Sequence, residues 1–149
     1  MPSPVMRSRG LRILVVDDHE GSARALSRLL SREGHDVVTA GSAADALTAA
    51  RWGRPVDLLL SDIGLPEVDG CELLRRLRSM YRRDVPAIAV SGNGEQSDVE
   101  TCRRAGYAQL LLKPIEFAEL LAGVRAVEAC GGHARGTAEP GARSANVGV

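Results

Sequence analysis

A chain of 149 residues, with Lys plus Arg and Asp plus Glu at 19 each, is long enough to bury a core of its own and carries no net charge. That balance argues against a broad electrostatic footprint for nucleic acid or an anionic membrane surface, so any partner is recognised locally. Cys71, Cys102 and Cys130 are odd in number, widely spaced and without CxxC, which speaks for ordinary thiols in a reducing compartment. No apolar run reaches the roughly 20 residues of a membrane span or forms a signal peptide, so a cytoplasmic protein is expected.

Residues 1–10 read as a flexible N-terminal segment. Leu11 to Val16 is a short β-rich apolar run that ends in Asp17-Asp18, and Ala23, Leu26, Leu29 and Leu30 then share one helical face. Glu33-Gly34 stops that helix. Val37 to Ala40 supplies a second strand, and Ser42 is placed to cap a helix from Ala43 to about Trp52. Trp52, the only tryptophan, is expected to pack at an edge.

Val56 to Ser61 forms a third strand ending at Asp62. The Gly64-Leu65-Pro66 turn leads through Asp69-Gly70 into a helix with Leu73, Leu74, Leu77 and Met80 in a stripe. Pro86 to Val90 is a fourth strand ending at Ser91; the Gly92-Asn93-Gly94 loop opens a helix from about Gln96 to Ala105. Gln109 to Leu112 is a fifth strand ending at Lys113-Pro114, and a last helix spans about Glu116 to Glu128 with Phe117, Leu120, Leu121, Val124 and Val127 inward. Five strands apolar on both faces, alternating with amphipathic helices, predict a doubly wound five-stranded parallel α/β sheet over 11–128. Residues 129–149 are too poor in large apolar groups to fold and read as a disordered tail.

In an open parallel sheet a ligand site lies beyond the carboxyl ends of the strands. Asp17, Asp18, Asp62, Ser91 and Lys113 all fall there. Three carboxylates gathered at about 4 Å and an effective dielectric near 20 repel by on the order of 4 kcal/mol per pair, so positive charge must sit among them. Lys113, the only lysine in the chain, is one source. Hard oxygen ligands with room for water suit Mg²⁺ as another. An aspartate so placed can attack phosphorus to give an acyl phosphate, with the metal and the ammonium neutralising the transferring group and Ser91 bonding a phosphoryl oxygen.

The segments ILVVDDHE, LLLSDIGLPEVDG, IAVSGNG and AGYAQLLLKP resemble, in order and spacing, the receiver domains of bacterial response regulators and hybrid histidine kinases. The resemblance covers about Leu11 to Glu128 and implies a (βα)₅ flavodoxin-like fold. It implies Asp62 as the phosphorylation site, and Mg²⁺ held by Asp18, Asp62 and the carbonyl of Gly64, with Asp17 acting through a metal-bound water. It further implies Ser91 as the mobile hydroxyl and Lys113 as the ion-pair partner of phosphate and Asp62. The expected donor is a histidine kinase or phosphotransfer protein. The expected output is a changed preference for a protein target at the fourth helix, fifth strand and fifth helix.

The chain departs from the family pattern in two respects. Leu110 stands three residues before the lysine, where many receivers carry an aromatic switch residue. Gly64 and Gly92 flank the expected phosphate, which predicts a relatively unshielded aspartyl phosphate. The alternative reading is a phosphorylation-independent receiver-like interaction module. A haloacid-dehalogenase-type phosphatase, which also uses an aspartyl nucleophile, requires DxD where this chain has Asp17-Asp18-His19. His19 itself reads as a solvated loop residue beside the acidic groups. Neither GxxxxGK[ST] nor GxGxxG is present, so nucleotide binding finds no support.

Overall fold

Apolar runs become strands and periodic segments become helices in the computed structural model, which describes residues 10–92 and 96–131. The order is β1 (Arg12–Val16), α1 (Glu20–Arg32), β2 (Asp36–Ala40), α2 (Ala43–Trp52), β3 (Leu58–Asp62), α3 (Gly70–Tyr81), β4 (Ala87–Ser91), α4 (Gln96–Ala105), β5 (Gln109–Leu112) and α5 (Phe117–Gly131). The last helix therefore runs to Gly131, past the Glu128 end that the sequence pattern predicts. Most of the opening segment, Asn93-Gly94 of the fourth loop, and the tail beyond Gly131 lie outside the described residues.

All strand pairs are parallel, in the order β2-β1-β3-β4-β5. Side chains alternate across the sheet and both faces are covered, as period-two strands under crossover helices require. Ile13, Val15, Leu58, Leu60, Ile88 and Val90 pack with α1 and α5 through Leu26, Leu30, Leu120 and Val124. Leu14, Val16, Leu59, Ala87 and Ala89 pack on the other face with Ala46 and Ala50 of α2 and Leu73, Leu74 and Leu77 of α3. Each fully buried leucine contributes about 1.5–3 kcal/mol relative to exposure. The edge strand β2 is covered less: Val37 and Val38 are only half-buried.

The caps follow local chemistry. Ser42 Oγ accepts from Asp45 N at 3.1 Å to open α2, and Asp69 Oδ1 accepts from Glu72 N at 2.9 Å to open α3, each satisfying a donor the helix leaves free. Gly34 ends α1 with φ +95°, a left-handed conformation that a side chain would strain.

Two expected packings do not occur. Trp52 is 79 % exposed and does not pack at an edge. The buried face of α2 consists of Ala43, Ala46 and Ala50, and Trp52 lies about 200° around the helix from Ala50. Phe117 is 49 % exposed: the packed face of α5 begins one turn later, at Leu120. Among the described residues no helix is long and apolar enough to cross a membrane.

Candidate functional site

The strand order makes β1 and β3 neighbours at the sheet's centre, with β2 on one side and β4 and β5 on the other. The loops after β1 and β3 consequently leave in opposite directions and open a crevice between them. Register steps the strand ends by one residue from β1 to β3 and by one more from β3 to β4, with Val16 opposite Ser61, Asp62 opposite Val90, and the last residues of β4 and β5, Ser91 and Leu112, opposite each other. Asp17, Asp62, Ser91 and Lys113 therefore end or follow adjacent strands at that crevice.

Asp17 is buried; its N–H donates to Ala40 O at 3.1 Å, and its Oδ1 accepts from His19 N at 2.9 Å. Asp62 closes β3, and its two carboxylate oxygens have different partners. Oδ2 accepts from Lys113 Nζ at 3.0 Å and Oδ1 from the Gly64 N–H at 3.3 Å. Lys113 Nζ also lies 3.7 Å from Asp17 Oδ2, so one ammonium spans the carboxylates of the first and third strands. Its backbone N–H donates to Ser91 O at 2.9 Å, and the Lys113-Pro114 bond is cis. Ser91 is buried at the end of β4.

Partial burial disfavours the charged form of Lys113, but its hydrogen bond to Asp62 and the charges of Asp62, Asp17 and Asp18 outweigh it and raise its pKa above the ordinary lysine value. The ammonium is thus held charged among the acids.

Asp17, Asp18 and His19 each offer one ligand atom within 4.8 Å of the others. His19 Nδ1 lies 3.8 Å from Asp18 Oδ1 and 4.0 Å from Asp17 Oδ1, with 76 % of its side chain exposed. The structure thus places His19 as the sequence reading has it, solvated and beside the acidic groups. Asp62 is outside that tight trio and joins it through Lys113. The Asp17 and Asp18 carboxylates, the second of them exposed, are hard oxygen donors of the kind that suits a partly hydrated divalent cation such as Mg²⁺. An added Cβ would meet nothing within 4 Å at Gly64, whose N–H bonds Asp62, or at Gly92, which follows Ser91.

Tyr107 escaped the sequence reading. It is 1 % exposed, and its hydroxyl donates to the Gly70 carbonyl, 37 residues away, at 2.7 Å. The aromatic letter in AGYAQLLLKP was the available signal; its partner is visible only in the fold.

The family model described as response regulator receiver domain matches residues 13–125. The sensory/regulatory protein RpfC of Xanthomonas campestris pv. campestris is 33 % identical over 77 % of this chain and 16 % of its own length. The two-component response regulator ARR11 of Arabidopsis thaliana is 35 % identical over 82 % of this chain and 25 % of its own. The transcriptional regulatory protein PrrA of Mycobacterium tuberculosis is 38 % identical over 78 % and 49 %. This chain thus spans less than half of each of these three proteins. Among solved structures, the signal receiver domain of an HD domain-containing protein from Pseudomonas fluorescens Pf-5 superposes with a TM-score of 0.76 at 30 % identity, covering 83 % of this chain and 98 % of that one.

Proposed function

The chain belongs to the response regulator receiver domain family of two-component signalling, and from that premise we propose that it is a phosphoacceptor whose acceptor is Asp62. The observation that carries the reading is the Lys113 ammonium bonded to Asp62 at 3.0 Å and facing Asp17 at 3.7 Å. It marks Asp62 as a carboxylate already poised among charges of both signs. One oxygen of Asp62 attacks the phosphorus of a phosphohistidine on a kinase or phosphotransfer protein. The new P–O bond forms as the P–N bond breaks, and the bonding pair returns to the imidazole. Lys113 neutralises charge on the transferred group, and the Ser91 hydroxyl donates to one of its oxygens.

Asp18, Asp62 and the Gly64 carbonyl would hold Mg²⁺, with Asp17 acting through a bound water; the ion when bound supplies charge neutralisation at the phosphoryl oxygens. The space beside Gly64 and Gly92 leaves the product open to water, which supports a short-lived aspartyl phosphate. The altered charge then shifts the preference of the surface at α4, β5 and α5 for a protein target.

Incubation with acetyl phosphate and Mg²⁺, followed by intact mass, tests the proposal. Wild-type chain gains one phosphoryl group and the Asp62→Asn variant gains none. No gain on the folded wild type, or gain that survives the substitution, favours the phosphorylation-independent interaction module instead.

A further inference from the structure

We propose that Tyr107 is a positioning residue of the acceptor site: its hydroxyl, bound to the Gly70 carbonyl, clamps the base of the loop that carries Gly64 and so sets that loop against the carboxylates of Asp17, Asp18 and Asp62. The inference rests on the phosphoacceptor reading for its effect on metal binding, and on geometry alone for the clamp.

Three contacts meet at Gly70. Its N–H donates to Ile63 O at 3.0 Å, which closes residues 63–70 into a ring containing Gly64. Its α-carbon lies against the acceptor's own backbone, since an added Cβ would come within 2.6 Å of Asp62 O, 3.1 Å of Ile63 Cα and 3.3 Å of Ser61 Oγ. Its carbonyl receives the Tyr107 hydroxyl at 2.7 Å. Ser61 completes the arrangement, its Oγ donating to Asp62 O at 2.9 Å. The Asp62 backbone is therefore bonded by Ser61 and abutted by Gly70, and Gly70 is gripped by a phenol rooted in a different part of the chain.

That root is firm. Tyr107 N donates to Cys102 O at 3.0 Å where α4 ends, and its ring lies in the core between the sheet and α3. Arg78 of α3 donates to the preceding Gly106 O at 3.2 Å and to Val85 O at 3.0 Å, fastening the same turn to α3 and to the segment leading into β4. Phenylalanine would fill the space, whereas a phenol brings a hydroxyl that costs free energy to bury unless it is bonded. Burial raises the phenol's pKa well above its ordinary value despite an opposing hydrogen bond with Ser61, so it stays a donor across the pH range of the folded protein.

The test uses the full chain with Tyr107→Phe. Amide exchange of the metal-free protein reads the clamp without any phosphorylation: the Gly70 and Val68 amides should exchange faster by on the order of fivefold, the scale of one neutral hydrogen bond, with β1 and β4 unchanged. Calorimetric Mg²⁺ affinity should fall by a similar factor, and labelling by acetyl phosphate at saturating Mg²⁺ should return to within about twofold of wild type. Wild-type loop exchange, or faster exchange spread evenly over the sheet, overturns the proposal. Tyr107→Met, which also lacks the hydroxyl, should give the same local pattern. Loss of fold in both variants assigns Tyr107 to the core alone and overturns it as well. Locally faster exchange in a chain whose wild type takes no phosphoryl group leaves the clamp standing and sinks the acceptor reading instead.

Discussion

Lys113→Met removes the ammonium that contacts Asp62 at 3.0 Å and Asp17 at 3.7 Å while keeping much of the side chain's apolar length. At an effective dielectric near 20 those separations correspond to attractions of about 5.5 and about 4.5 kcal/mol. Lysine is 30 % exposed, so solvent screens part of this, and desolvating three charged groups offsets much of the rest. A net loss of about 2 kcal/mol is the expected result, the scale of one hydrogen bond between charged groups plus the repulsion it leaves uncompensated. Urea unfolding in EDTA should show the variant's midpoint lowered at unchanged slope. Mg²⁺ should then narrow the gap, because three carboxylates and one ammonium sum to minus two, and without the ammonium the site attracts a cation more strongly. The pH dependence has a definite sign. The folded pKa of Lys113 is raised above 10.5, so its stabilisation is complete below that pH and is lost as pH rises through the folded value. The variant should lack that alkaline loss. Equal stability of the two proteins in EDTA, to within about 0.5 kcal/mol, together with an identical Mg²⁺ response, would refute the electrostatic account.

Other expected outcomes separate neighbouring residues of the same type or test single contacts. Gly70→Ala drives a methyl to within 2.6 Å of Asp62 O and should cost about 2 kcal/mol or more in thermal or urea unfolding, while Gly64→Ala meets open space and should change stability by less than about 0.5 kcal/mol. Ser42→Ala removes the α2 cap and should cost about 1 kcal/mol in urea unfolding. Trp52→Ala should leave stability within about 0.5 kcal/mol, and wild-type emission, which comes from Trp52 alone, should be readily quenched by acrylamide; a protected indole would contradict its exposure.

Strand and helix placement was legible because both signals are local. Ser42 was readable as the cap of α2 because its hydroxyl serves an amide three residues on. The five polar residues at the crevice were readable because they lie at, or within two residues of, the end of an apolar run and parallel strands finish at one pole. Trp52 and Phe117 misled, since an apolar residue at a helix end satisfies the pattern whether or not anything lies beneath it. The half-buried valines of β2 reflect its place at the edge, which depends on the order of strands in space. Tyr107 was illegible for a related reason: a carbonyl 37 residues away leaves no trace in the spacing of side chains.

Because β1, β3 and β4 are each five residues long and each ends one residue beyond its neighbour, the sheet acts as a measuring rule for the crevice. One residue inserted within any of them would carry its terminal group about 3.3 Å along the strand axis and turn it to the opposite side. Insertions and deletions tolerated by such a chain should therefore collect at the pole where the helices end, leaving the distance from strand start to reactive group unchanged.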